Sequence, residues 1–190
     1  TSSCAGAADD KYDFTYANGS VTVGQKALSI TASNGTKTYG DALTFTGSEF
    51  TSNGLVSGDS IASVTLNSTG APATAAVGPY AITASGASGT GLGNYTITYH
   101  DGSLTVNAKA LSITASNGTK TYGDVKTFAG TEFTANGLVN SDSVSSVTLN
   151  STGAPATANV ASYNIVPTNA VGTGMGNYTL SYTNGTLPVD

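Results

Sequence analysis

The sequence lacks several residue types, and each absence excludes a class of protein. It contains no arginine and no tryptophan, and its only cysteine and only histidine are Cys4 and His100. All six basic residues are lysines, and the formal net charge is −5. Because binding to nucleic acid needs a basic surface that neutralises phosphates, nucleic acid is excluded as a partner. A single cysteine cannot form an internal disulfide, so packing must hold the fold together.

Long apolar runs are also missing, so neither a membrane span nor a signal peptide is predicted. Only 9% of the residues are charged, whereas Ser, Thr, Asn and Gly are abundant. This balance is typical of extracellular β-rich modules. Residues 1–11 are predicted to be a flexible leader. We interpret the chain as a piece of a longer secreted protein, located outside the cell.

An internal repeat dominates the sequence. The nonapeptide SNGTKTYGD occurs at residues 33–41 and again at 116–124, and the rest of the two copies aligns without a gap. The offset is a constant 83 positions, as from Tyr39 to Tyr122. Residues 11–23 also resemble residues 94–106 and 177–189. A fixed period of this kind indicates a tandem array. The predicted parts are a terminal hairpin of a preceding repeat with its linker (12–26), repeat 1 (27–107) and repeat 2 (108–190).

Each repeat has the signals of short β-strands. LSITAS, TITYH and SLTV alternate apolar and polar residues and are rich in β-branched and aromatic side chains. Asn-Gly or Asp-Gly pairs lie between such runs, and these pairs favour type I′ hairpin turns. They begin at Asn18, Asn34, Asp101, Asn117 and Asn184. About seven or eight strands per repeat predict an all-β fold of tandem Ig-like β-sandwich repeats. The alternative is a β-grasp-like repeat with a short helix at 54–63 and 137–146.

The expected core of repeat 1 follows from the alternation. Tyr80 and Tyr163 lie in mid-strand, as in the tyrosine corner of Ig-like sandwiches, where the ring is buried and the hydroxyl bonds to the backbone. The predicted core consists of Leu28, Ile30, Tyr39, Phe45, Phe50, Leu55, Val64, Leu66, Val77, Tyr80, Ile82, Tyr95, Ile97, Leu104 and Val106.

Several motifs together resemble a known family. KTYGD is followed by a GLVSGD stretch, a GPYAI strand and the closing segment NYTITYHDGSLTV. This set is similar to the MBG and YDG repeat domains of large bacterial surface proteins, including filamentous-haemagglutinin-like adhesins secreted by the two-partner route. The resemblance covers residues 11 to 190. It implies a repeat module without established catalytic residues. Repeat 2 departs from repeat 1 at Asn140-Ser141 and at Pro188, which replaces Thr105.

The nonapeptide carries the first candidate site. Lys37, Tyr39 and Asp41 could bind an acidic sugar or a cation. Each residue also has a structural interpretation, because Asn34-Gly35 would turn a hairpin, Tyr39 would fill the core and Gly40-Asp41 would open a loop. The structural interpretation is favoured, and the nonapeptide is predicted to be scaffold.

A spontaneous isopeptide bond is a second hypothesis, since some bacterial surface modules join Lys to Asn beside a carboxyl group. The chemistry needs a neutral lysine and a protonated acid, which burial favours. The candidates in repeat 1 are Lys37, Glu49 and either Asn67 or Asn94. Their counterparts in repeat 2 are Lys120, Glu132 and either Asn150 or Asn177.

Calcium is the third hypothesis, because Ca²⁺ prefers six to eight oxygen ligands. The acidic candidates are Asp41, Asp59, Asp124, Asp142 and the cluster Asp9, Asp10 and Asp13. One acid per loop is sparse for such a site, and turn or capping roles explain Asp59 and Asp142 better. We therefore expect no metal and no cofactor.

Enzymatic constellations are missing from the sequence. His100 is replaced by Thr183 in repeat 2, and Cys4 lies outside the repeats. The glycine-rich GTGLGN at 89–94 leads into a strand, so it lacks the helix start that binds phosphate. The chain is predicted not to be an enzyme. Asn-x-Ser/Thr triplets recur, and whether they are glycosylated stays open.

The functional prediction is a stalk or spacer segment of a secreted bacterial surface adhesin that projects a binding region from the cell. Neighbouring repeats of the same chain are its expected partners, because near-identical repeats dock alike. The alternative is that each repeat binds host glycans or matrix proteins, with tyrosines such as Tyr16, Tyr99 and Tyr182 stacking on sugar rings.

Overall fold

The computed structural model describes residues 5–6 and 10–190, and over this part the chain is built from short strands. Repeat 1 contains seven strands and repeat 2 contains six. The strands are β1 (Lys26–Ala32), β2 (Gly35–Thr38), β3 (Phe50–Asn53), β4 (Ser60–Asn67), β5 (Gly78–Thr90), β6 (Tyr95–His100), β7 (Gly102–Asn107), β8 (Lys109–Ala115), β9 (Phe133–Asn136), β10 (Ser143–Asn150), β11 (Ala161–Thr173), β12 (Tyr178–Thr183) and β13 (Gly185–Val189). The predicted all-β class with tandem repeats is confirmed.

Two sheets enclose the core of repeat 1. One sheet has the order β3-β1-β6 and the other β2-β7-β5-β4. Apolar side chains alternate along each strand, so one face of each sheet is buried. Leu28 and Ile30 from the first sheet and Ile82 and Leu104 from the second belong to one buried cluster. The repeat is therefore a two-layer sandwich with its core between the sheets.

The strands at the two ends of repeat 1 pair in parallel. Strand β1 lies parallel to β6 from Lys26 opposite Tyr95 to Thr31 opposite His100. Strand β2 lies parallel to β7 from Gly35 opposite Leu104 to Thr38 opposite Asn107. The remaining pairs, β1 with β3, β5 with β7 and β4 with β5, are antiparallel.

Repeat 2 has the same arrangement with one difference. Strand β8 pairs with β9 and β12, and β11 pairs with β10 and β13. The counterpart of β2 is not a continuous strand: it pairs through a bridge between Lys120 and Val189, and residues 118–122 still form four backbone hydrogen bonds with residues 186–190. Pro188 stands where repeat 1 has Thr105. Because proline has no N–H, β13 lacks one donor that a parallel ladder would use.

The segment before β1 differs from the prediction. A terminal hairpin was predicted at 12–26, but residues 10–25 contain no strand, only single bridge residues at Tyr12 and Gly19. The matching segments at 94–106 and 177–189 form strands because β1, β5, β8 and β11 supply partners for them. Among the described residues, none of the paired strands includes residues 11–23.

The predicted type I′ turns are wrong. In all five Asn-Gly or Asp-Gly pairs, neither residue has a positive φ. The pairs within the two repeats, which begin at Asn34, Asp101, Asn117 and Asn184, are corners at which the chain passes from one sheet to the other, as between β1 and β2 and between β6 and β7. The glycine is needed for close approach instead, since a Cβ on Gly102 would lie 2.6 Å from the Ala32 carbonyl oxygen. The Asn34 side chain secures the corner by accepting a bond from the Ser103 N–H at 2.8 Å.

The short helix of the β-grasp alternative is absent: at 54–63 and 137–146 the chain forms a turn and then begins strands β4 and β10. Glycine and serine hold these segments in turns because both are poor helix formers. In the described chain the helical residues are two 3₁₀ turns, Leu92–Asn94 and Met175–Asn177.

The tyrosine corners are confirmed. Tyr80 donates its hydroxyl to the Ala76 carbonyl at 2.9 Å, and Tyr163 donates to the Asn159 carbonyl at 3.0 Å. Most of the predicted core is buried or packed against it. Val77 is an error of the prediction, because it is 39% exposed at the start of β5.

Candidate functional site

The KTYGD segment forms a loop tied together by a buried lysine. The Lys37 ammonium donates to the backbone carbonyls of Asp41 at 2.8 Å, Ala71 at 3.3 Å and Pro72. Lys120 makes the same contacts with the carbonyls of Asp124, Ala154 and Pro155. Burial lowers the pKa of Lys37, and the nearby Asp41 carboxylate opposes that shift. The lysine therefore holds two loops at one end of each repeat.

This loop places Tyr39 in the core of the other repeat. Tyr39 is 4% exposed, and it belongs to the same cluster as Leu111, Ile113 and Tyr178. Its ring meets the Tyr178 ring edge-on, with centroids 5.5 Å apart and planes at 83°. Its hydroxyl donates to Asp142 Oδ2 at 2.9 Å. Tyr39 is buried as predicted, but most buried residues of its cluster belong to repeat 2, with Val106 from repeat 1, because sequence alternation reports burial but not which repeat supplies the cover.

Three further contacts complete the junction between the repeats. The Asn140 side-chain amide donates to the Ala73 carbonyl at 2.8 Å. Asn177 Oδ1 accepts a bond from the Val77 N–H at 3.0 Å. Val139 packs so closely on Gly40 that a Cβ there would lie 2.7 Å from Val139 Cγ2. Glycine is therefore required in KTYGD both for this approach and for its positive φ of 91°.

Asp59 and Asp142 occupy equivalent places and differ in their partners. Asp142 Oδ2 accepts bonds from Tyr39 and also from Tyr178, at 2.8 Å. Asp59 Oδ2 accepts the Tyr95 hydroxyl at 2.6 Å. The bond to Asp59 and burial raise the pKa of Tyr95. Burial, together with the bond to Asp142, raises the pKa of Tyr178.

A glycine of GTGLGN, and its counterpart in repeat 2, leaves room for the carboxylate of Asp59 or Asp142. A Cβ on Gly91 would lie 2.0 Å from Asp59 Oδ1, and a Cβ on Gly174 would lie 2.1 Å from Asp142 Oδ1. These residues also have positive φ, 74° and 71°. The motif is therefore a loop that leaves room for an acidic side chain.

The isopeptide candidates are not brought together by hydrogen bonds. The Glu49 carboxylate accepts the backbone N–H groups of Thr46, Gly47 and Ser48. The bond from Thr46 above all lowers the pKa of Glu49 to about 2, so it is ionised at neutral pH. Glu132 binds its own loop in the same way, and its pKa is also lowered.

The amide candidates lie elsewhere. Asn94 and Asn177 end the two 3₁₀ turns, and Asn67 and Asn150 end strands β4 and β10. None of these contacts supports the isopeptide bond, and it stays an untested prediction.

The calcium candidates are spread over the molecule. Asp41 and Asp124 offer their backbone carbonyls to lysine, while Asp59 and Asp142 bind tyrosine. Asp9 lies outside the described residues, as does Cys4. Within residues 5–6 and 10–190, no three His, Cys, Asp or Glu residues are grouped to hold a metal ion.

The described part of the chain has open surface depressions. One of about 370 Å³ is lined by Asn67, Ser68, Thr69, Ala81 and Thr83. Tyr99 and Tyr182, proposed for sugar stacking, use their hydroxyls to accept the backbone N–H groups of Ala87 and Ala170. Over the described residues, no helix has the length and apolar character needed to cross a membrane.

Comparison with protein families decides the identity of the repeats. A family model described as MBG domain (YGX type) matches residues 28–105 and again residues 111–188. The chain belongs to the MBG domain family. The resemblance read from the sequence is confirmed.

Membership in the MBG family indicates the general kind of protein in which such repeats occur. MBG repeats are typical of surface proteins, and the family is a structural repeat domain that is not known as an enzyme family. No curated protein and no solved structure matched the chain.

The sequence could not reveal the junction in advance. SNGTKTYGD is identical in both copies, yet Tyr39 is 4% exposed and Tyr122 is 58% exposed. The sequence feature that pointed to this site was the recurrence of the nonapeptide, with its lysine, tyrosine and glycine, in both copies. That recurrence does not indicate which surface the tyrosine contacts.

Proposed function

We propose that this chain is a stalk or spacer segment of a secreted bacterial cell-surface adhesin, which projects a binding region away from the cell. The observation that carries the proposal is the parallel pairing at the ends of each MBG repeat. The chain enters repeat 1 at β1 and leaves it at β7. Strand β1 is parallel to β6, and β7 is parallel to β2.

Parallel end strands suit a segment under tension. When the two ends of a repeat are pulled apart, parallel neighbours slide along each other, so all their hydrogen bonds are loaded together. Two end strands joined as a hairpin would instead open one bond at a time, because the pull would act on one end of their ladder. The evenly spaced bonds of a parallel ladder share the load between them. This geometry supports a mechanical role.

Single-molecule extension of the whole chain tests the proposal. We expect two unfolding events, each lengthening the chain by up to about 300 Å at about 3.6 Å per residue. Repeat 2 should unfold at the lower force, because Pro188 removes one donor from the pairing between residues 118–122 and β13. Thr105→Pro removes a donor from β7 and should lower the force of the stronger event. Equal forces in the variant and the parent would contradict the mechanical role.

The alternative, direct binding of host glycans or matrix proteins, is tested on the same folded chain. Arrays of glycans and extracellular-matrix proteins should give no saturable signal from the two-repeat chain. A control with heat-unfolded chain identifies non-specific adhesion. Specific binding that saturates would replace the stalk with an adhesive module.

A further inference from the structure

The junction between the repeats uses only one end of each repeat, and the opposite ends carry matching residues. It is made by the KTYGD end of repeat 1 and the Asp142 end of repeat 2. Repeat 2 has its own KTYGD end, and repeat 1 has its own Asp59 end. Neither of these two surfaces is covered by another MBG repeat in this structure.

The KTYGD end of repeat 2 is exposed where its counterpart is buried. Tyr122 is 58% exposed, against 4% for Tyr39. No atom lies within 4 Å of a Cβ built on Gly123, whereas Gly40 is in close contact with Val139. Val160, the counterpart of Val77, is 66% exposed. The apolar and polar groups of this end thus lack the cover that their counterparts have.

The Asp59 end of repeat 1 carries the complementary groups. Asp59 accepts the Tyr95 hydroxyl, as Asp142 accepts that of Tyr178. Val56, the counterpart of Val139, is 47% exposed. Asn94 takes the place of Asn177. Of the named contacts, only the amide of Asn140 is not conserved, because Ser57 stands there.

We propose that the Tyr122 end of repeat 2 is a docking surface for the Asp59 end of repeat 1 of a second copy of this chain. The Tyr122 hydroxyl donates to the Asp59 carboxylate, and its ring meets the edge of Tyr95. Val56 covers Gly123, and the Asn94 side chain accepts the Val160 N–H. The surface and its partner follow from the internal junction, whose contacts they repeat.

This docking joins different surfaces of two identical chains. Such a heterologous contact leaves a free surface at each end, so it does not close on itself and copies add head to tail. The internal junction has one linker residue, Ala108, between β7 and β8. A short tether raises the effective concentration of the two halves to the millimolar range. Docking between two copies should therefore be complete when they are joined with the same spacing.

The repeat alignment defines the spacing at which two copies must be joined. Asp190 matches Asn107, and Gln25 matches Ala108 in the repeat alignment. A chain in which Asp190 is followed directly by residues 25–190 of a second copy reproduces the internal linker. The whole first copy and both repeats of the second copy remain intact in this joined chain.

Urea unfolding of the single and the joined chains tests the proposal with Tyr122→Ala. In the single chain the substitution should leave the unfolding midpoints unchanged, since the side chain is exposed. In the joined chain it should lower the midpoint of the repeat that follows, as Tyr39→Ala does within the single chain. A matched control is Val125→Ala, because Val125 is 68% exposed and is not the counterpart of a junction residue. It should change neither chain.

A second variant tests the partner surface. Val56→Ser in the appended copy should lower the same midpoint in the joined chain, and it should have no effect in the single chain. No effect of Tyr122→Ala in the joined chain would overturn the proposal, and so would an equal loss in both chains. The stalk function does not depend on this result, because extension of each repeat is measured separately.

Discussion

At the scale of single residues, identical side chains have different roles because their surroundings differ. Tyr39 and Tyr122 lie in the same nonapeptide, but only Tyr39 has a neighbouring repeat to cover it. Lys37 and Lys120 are both 8% exposed, and both bind carbonyls of their own repeat. The lysine therefore acts within a repeat, and the tyrosine acts between repeats.

Replacing Lys37 tests the first of these roles. Lys37→Met keeps the apolar stem and leaves the carbonyls of Asp41, Ala71 and Pro72 without their donor. An unsatisfied buried polar group costs about 1–3 kcal/mol, so we expect a loss of that size in the free energy of unfolding of repeat 1. Urea unfolding measures it. The control Lys26→Met changes an exposed lysine and should stay within about 0.5 kcal/mol of the parent chain. Equal behaviour of the two variants would refute the role of the ammonium.

Glu49 gives a prediction with a defined pH range. Its pKa is lowered to about 2 from an ordinary value of 4.5, because backbone N–H groups bind the charged form. A carboxyl whose pKa is lowered on folding stabilises the fold above the unfolded pKa, and this contribution is lost as the pH falls through the folded pKa. Glu49→Ala should thus destabilise repeat 1 by about 1 kcal/mol at pH 7. The difference from the parent should shrink between pH 4.5 and pH 2. A difference that does not vary with pH would exclude the carboxylate as its source.

At the scale of strands, the sequence predicted which segments are extended but not how they connect. Alternation located β1, β6 and β7 correctly, because burial of one face leaves a period of two in the sequence. Asn34-Gly35 and Asp101-Gly102 were read as hairpin turns. They are corners between sheets, since the same glycine serves either positive φ or close backbone approach. Only the neighbouring Ala32 carbonyl distinguishes these two uses.

The site was predictable to the same extent. Burial of Tyr39 was correctly predicted, and the structure shows that Lys37, two residues before it, is buried as well. The partner of Tyr39 lies in another repeat, more than a hundred residues away at Asp142, and no local pattern encodes that pairing.

The strand difference between the repeats can be reversed. Pro188→Thr restores the N–H that Thr105 has in β7, so the counterpart of β2 should lengthen from a bridge to a strand. We expect a gain of about 0.5–1.5 kcal/mol in the stability of repeat 2, the net value of one hydrogen bond. Thr105→Pro in repeat 1 should cause a loss of similar size. Amide hydrogen exchange at position 188 of the variant reports the added bond, because the N–H groups of Gly118 and Lys120 are already paired in the parent chain. Unprotected exchange at that amide would show that proline does not limit this strand.

At the scale of the whole molecule, the two repeats are joined by both chain and contacts. One residue links β7 to β8, and Tyr39 belongs to the buried cluster of repeat 2. In repeat arrays, stability is the sum of each repeat and its interface with the next. The junction should therefore make repeat 2 more stable than its own core alone would allow.

This coupling predicts that a substitution in repeat 1 weakens repeat 2. Tyr39→Ala removes a buried ring from the cluster around Leu111 and Tyr178, for which about 3 kcal/mol is typical. The loss should fall on β8 and β12, whereas β1 and β4, whose buried residues belong to the other cluster, should keep their stability. Amide hydrogen exchange, resolved by residue, separates the two repeats. Tyr122→Ala is the matched control, since the same residue in the same nonapeptide is exposed and should weaken neither repeat in the single chain. If the loss fell on repeat 1 instead, Tyr39 would act as a core residue of its own repeat. The junction would then contribute nothing to the free energy of unfolding of repeat 2.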